Sequence, residues 1–125
     1  MLRKTRITAG LATLAVSVAA FTGAADAATK SKVSITGDNG DYYGYVHSKD
    51  ARHCENDRKV TVFKQLGSVQ DPNTDLKIGS DLAEPNGPDA MWSIGNSGYK
   101  SGKFYAKAAK VPGFCKAATS KTISR

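Results

Sequence analysis

Cys54 and Cys115 are the only cysteines in this 125-residue chain, and they stand 61 positions apart. Whether they join depends on where the chain goes, and its first residues, MLRKTRITAGLATLAVSVAAFTGAADAA, address that. Arg3, Lys4 and Arg6 form a positive start, Ile7 to Ala24 is apolar and free of charge, and Ala25-Asp26-Ala27 has small residues where a signal peptidase reads them. This is the layout of a secretory signal peptide, with cleavage expected after Ala27. A retained membrane anchor is the rival reading, but Ala, Gly, Thr and Ser make the run weakly hydrophobic, and no later segment is apolar enough to span a bilayer. Export implies an oxidising compartment, where two cysteines are most simply one disulfide. Closing such a loop contributes about 4 kcal/mol in the chain-entropy account, comparable to the net stability of a small domain. The expected organisation is therefore a leader over 1–27 and one stapled domain over 28–125.

Within that domain the apolar spacing is that of strands. Lys32–Thr36 alternates, Tyr42–Ser48 is aromatic-rich, and Lys59–Gln65 is a β-branched run. Leu76–Ile78, Met91–Ile94, Lys103–Ala109 and Thr119–Ile123 complete the set. GDNGD, DPN, EPNGPD, GNSGYKSG and VPG separate them, each dense in turn-forming residues. No helical repeat appears; only the Ala-rich Tyr105–Lys110 could compete as a short helix. The fold class is thus all-β, a single antiparallel β-sandwich of about seven strands with one disulfide, transthyretin-like or immunoglobulin-like.

The succession Gly44, Val46, Ser48, then Arg58–Val62, Ile78–Asp81, Met91–Ile94 and Gly102–Ala106 resembles the transthyretin-like sandwich family, which includes carboxypeptidase regulatory-like and Cna-B-type repeats. The resemblance covers Tyr42 to Lys110. It implies a sandwich like those of small secreted bacterial domains. The purine-ring hydrolases of that group end in Tyr-Arg-Gly-Ser, whereas this chain ends TSKTISR, so their activity is not implied. Cna-B-type repeats often carry a Lys–Asn isopeptide bond. Lys59 and Glu84 fall in suitable regions, but the last strand offers no Asn.

Three groups of side chains are candidates for function. The first lies in and around DARHCENDRK: His47, His53, Cys54 and Glu55. An oxidised Cys54 offers no thiolate, and the remaining spacing matches no zinc motif, so no metal or other cofactor is expected. Two histidines, or one with Glu55, could serve a small basic nuclease as acid and base, with Arg52 or Arg58 on phosphate. The simpler reading is a polar turn that carries the cysteine. The second is an aromatic stripe, since alternation sets Tyr43, Tyr45 and His47 on one face of a strand. Such tyrosines suit stacking on sugar rings, a surface-protein contact, as in a secreted inhibitor, or plain cross-strand pairing. The third is charge. Without the leader the chain has 15 basic and 10 acidic residues, and from Ala90 onward there is no acid at all. Lys103, Tyr105 and Lys107 share one strand face, with Lys116 and Lys121 further on. They would attract an anionic envelope polymer without bidentate recognition. No catalytic constellation is specific enough to assign, so the expectation is a secreted, non-catalytic binding or structural module.

Overall fold

A computed structural model describes residues 28–125; the signal-peptide reading falls on 1–27, outside the described residues. The elements are β1 (Ser31–Val33), β2 (Thr36–Asp38), β3 (Asp41–Ser48), α1 (Ala51–Cys54), β4 (Lys59–Lys64), β5 (Leu76–Leu82), β6 (Glu84–Asn86), β7 (Asp89–Ile94), β8 (Lys103–Ala108), β9 (Ala118–Thr119) and β10 (Ile123–Ser124). One sheet runs β1-β3-β7-β6, with β2 also on β3; the other runs β10-β8-β4-β5, with β9 also on β8. Every pairing of named strands is antiparallel. Taking β1 with β2 and β9 with β10 as split edge strands, this is the strand order of an immunoglobulin-type sandwich with one extra strand beside the third. The chain crosses between sheets at Ala83, which is buried and bonded through its backbone to Asp57 and Arg58.

Local chemistry explains the pieces. In β3 the residues alternate exposed and buried along its whole length, which sends Tyr42, Val46 and Ser48 inward. Asn39 and Gly40, both at positive φ, make the Asn-Gly turn that joins β2 to β3. The expected single strand Lys32–Thr36 is broken in two because the Ser34 backbone presses onto Gly44. A Cβ there would lie 2.0 Å from the Ser34 carbonyl oxygen. The last strand is broken too, and Ser120 fills the gap: its amide donates to the Ala106 carbonyl and its hydroxyl accepts from the Ala106 amide. EPN, expected in a turn, is instead a short strand, and the strand beginning at Leu76 continues to Leu82. Tyr105–Lys110 contains no helix; β8 occupies it up to Ala108. DARHCENDRK does contain one helical turn, which Asp50 caps by accepting from the His53 amide.

The core lies between the sheets. Tyr42, Val46, Ala90 and Trp92 from the first meet Val60, Val62, Phe104, Ala106 and Ala108 from the second. Burying each large member contributes roughly 1.5–3 kcal/mol. Trp92 pairs across the ladder with Gly44, so the largest side chain sits beside the smallest. The bridge forms as expected: Cys54 and Cys115, with Cα atoms 5.7 Å apart, join α1 to the segment between β8 and β9.

Candidate functional site

The strongest candidate lies on the outer face of the second sheet. β4 runs between β5 and β8, so its outward residues are flanked on both sides. Thr61 stands opposite Lys107 of β8 and opposite Ser80 of β5, and Phe63 stands opposite Lys77. With Lys59, Lys110, Ala109 and Ala117, these strands wall an open groove of about 360 Å³. Four lysines, Lys59, Lys77, Lys107 and Lys110, line it, and among the described residues no carboxylate does. Among the described residues no lysine lies within 4.0 Å of a carboxylate, so the charge of these ammonium groups is not neutralised by direct pairing. Such a groove attracts anions by field rather than by fixed geometry.

Only part of the expected basic set is here. Lys107 lines the groove. Lys103 borders a separate depression formed with Gln65, Ser68, Gln70 and Thr122. Lys116 and Lys121 are exposed elsewhere. Tyr105, expected as a surface contact between Lys103 and Lys107, is fully buried. It does point outward from β8, but it stacks on Phe63, with ring centres 5.3 Å apart, and donates its hydroxyl to Asp75 at 2.6 Å. The segment from Gln65 to Asp75 covers both rings. Burial, and then the bond to Asp75, push the Tyr105 hydroxyl far above its ordinary pKa. The Leu66 amide, the Tyr105 hydroxyl and the Asp71 amide hold the Asp75 carboxyl below the usual carboxylate range, against the opposing effect of burial. Lys59 stood out in the sequence only as a possible isopeptide lysine, and Lys77 joins the groove through the β4–β5 register.

On the first sheet Tyr43 and Tyr45 do face solvent, 39% and 43% exposed, beside Met91 at 37%. Tyr45 pairs with Met91 and Tyr43 with Ser93. Asp81, Glu84 and Asn86 border this stripe through a shallow depression that Met91 and Ser93 share. The stripe is thus rimmed by acids where the other face is rimmed by lysines.

The histidines do not act together. His47 Nδ1 lies 2.6 Å from Asp89 Oδ1 and 3.6 Å from Glu55 Oε2. Donor atoms of His47, Glu55 and Asp89 all lie within 4.8 Å of one another. His53 is outside that group: its ring contacts Asp50 at 2.9 Å and stacks on Phe114. Glu55, expected in a solvated turn, is 3% exposed, and its carboxylate accepts from the Ser48 amide. Arg58 is not available to phosphate. Its buried guanidinium donates to the carbonyls of Cys54, Ala109 and Lys116 and to the Ser31 hydroxyl, and burial lowers its pKa. Arg58 therefore reinforces the disulfide by tying the same segments together.

No family model and no curated protein matches this chain. Among solved structures, the hypothetical protein PH1083 from Pyrococcus horikoshii OT3 is similar at 12% identity, over 79% of this chain and 89% of that one, with a TM-score of 0.37. A likeness of that size carries no argument about function.

Proposed function

We propose that this chain is an exported, non-catalytic binding module that holds an anionic polymer of the cell envelope in the lysine groove of its second sheet. The observation that carries this reading is the set Lys59, Lys77, Lys107 and Lys110 around one groove without a carboxylate. The signal-like leader and the disulfide support export. Among the described residues no helix is long and apolar enough to cross a membrane. Lysine ammonium groups on flexible stems suit a repeating phosphate or carboxylate chain better than one rigid ligand.

The test is retention of the oxidised protein on an immobilised glycerol-phosphate polymer as sodium chloride is raised. Affinity should fall at least about tenfold between ~50 and ~300 mM salt, as screening of exposed charges requires. Lys59→Glu with Lys107→Glu should abolish retention, whereas Lys116→Glu with Lys121→Glu should leave most of it. Salt-insensitive retention, or none, overturns the proposal. A second reading, a protein partner on the Tyr43–Tyr45 stripe, is favoured by the exposed Met91 beside it. It is tested by whether Tyr45→Ala loses a partner captured from culture fluid that Lys59→Glu retains.

A further inference from the structure

We infer that His47, Glu55 and Asp89 form a binding site for a zinc-class divalent cation. The three come from three different elements. His47 is near the end of β3, Asp89 begins β7, and Glu55 follows α1 directly. Val46 pairs with Ala90, so His47 and Asp89 are the next residues along the same antiparallel ladder, on its outer face. Glu55 is placed by the adjoining helical turn: its amide donates to the Ala51 carbonyl, its carbonyl accepts from the Arg58 amide, and its neighbour Cys54 is fixed by the disulfide.

Geometry, charge and burial agree. Metal–ligand bonds of about 2.0–2.2 Å place tetrahedral donors roughly 3.4 Å apart. The 3.6 Å between His47 Nδ1 and Glu55 Oε2 already meets that spacing. The 2.6 Å contact from His47 to Asp89 is a hydrogen bond, in which a proton holds the place a cation would take. Asp89 is partly exposed, so its side chain has room to open by the fraction of an ångström required. Two carboxylates and a neutral imidazole carry a charge of −2, which a divalent ion balances. Glu55 gives the second observation. It is 3% exposed, and among the described residues no lysine or arginine comes within 4.0 Å of it. A carboxylate buried without a cationic partner other than a titratable imidazole is costly. The Ser48 amide at 2.8 Å orients it, as outer partners orient metal ligands. One imidazole with two carboxylates fits zinc better than calcium or magnesium. Three protein donors leave a further position open, and the His47 side chain is 58% exposed.

Cation and proton compete for the same donor atoms, so binding should weaken as pH falls. The charged groups facing His47 are Glu55, Asp89 and, across the β1 ladder, Lys32; Lys30 and Lys49 border the adjoining depression. The lysines oppose cation binding and set a ceiling on affinity without altering this sign.

The experiment is calorimetric titration of zinc chloride into the oxidised, tag-free protein at pH 7 and pH 5, independent of the lysine groove. One site per chain is expected, at least about tenfold weaker at pH 5. His47→Ala and Asp89→Asn, both outside the core, should each weaken binding at least about tenfold. Lys32→Ala should strengthen it, and His53→Ala, at the other histidine–aspartate pair, should leave it unchanged. Circular dichroism of the His47→Ala and Asp89→Asn proteins should match the wild type. No binding at millimolar zinc, or binding lost in His53→Ala but kept in His47→Ala and Asp89→Asn, overturns the assignment.

Discussion

Tyr45 and Tyr105 occupy matching places in the two halves of the sandwich. Each sits at the middle of an inner strand, points away from the shared core, and is preceded and followed by residues that face that core. Tyr45 is 43% exposed and Tyr105 is fully buried. The difference is made by one segment. Between β4 and β5 the chain returns over the second sheet, and Asp75 fastens it by accepting from the Leu66 and Asp71 amides and from the Tyr105 hydroxyl. Gln70 adds a second tie, donating to the Ser120 carbonyl and the Thr122 hydroxyl. Among the described residues no segment covers Tyr43 and Tyr45 on the first sheet in this way. Strand alternation decides which face a side chain takes; a distant loop decides whether that face meets water.

The largest contrast should come from truncation. Tyr105→Ala removes a ring packed on Phe63 and strands the loop, and should cost about 3–5 kcal/mol in urea unfolding. Tyr45→Ala should cost under about 1 kcal/mol by the same measurement. Equal losses would mean that the two faces are not distinguished by burial. A finer test removes only the hydroxyl: Tyr105→Phe should lower the thermal midpoint by about 5 °C, while Tyr45→Phe leaves it in place.

The pH profile separates the faces further. Asp75 is held more acidic in the fold than in the open chain, where a carboxyl titrates near 3.9. Its contribution is complete above about pH 4 and is lost as pH falls through the lower folded value. Tyr105 is shifted the other way, so its contribution is complete below about pH 10 and declines as pH rises past it. Subtracting the profile of Asp75→Asn from the wild type should isolate the acid limb, and subtracting that of Tyr105→Phe the alkaline limb. The smallest expected effect is at the groove: Lys59→Glu with Lys107→Glu should change stability by less than about 0.5 kcal/mol, since among the described residues neither lysine is ion-paired.

The sandwich, the disulfide and the inward-facing residues were legible because they rest on local periodicity and on counting: Phe104, Ala106 and Ala108 alternate into the core as their spacing says. The cover on Tyr105 was not, because the ties that hold it run from Asp75 to Tyr105 and from Gln70 to Thr122, 30 and 52 positions away. The same reason hid the cation site. His47 and Asp89 are 42 positions apart, and no spacing rule reaches across three elements. Glu55 looked solvated because DARHCENDRK is rich in charge; one helical turn folds its side chain inward. Spacing alone could not bring Lys59, Lys77 and Lys110 together, because a groove needs the pairing of β4 with β5 and β8 before its walls exist.

The breaks in the edge strands have a consequence for encounters between copies of this chain. An unbroken sheet edge is a template on which another chain can add a strand. Here β1 and β2 divide one edge at Ser34, β9 and β10 divide another at Ser120, and β6 is three residues long with Pro85 at its centre. None offers a long straight run of free amides and carbonyls. The remaining edge, β5, has seven residues and carries Lys77 and Asp81, charged side chains that keep an exposed edge hydrated. A sandwich built this way presents few places where a strand of a second copy can add to its sheets.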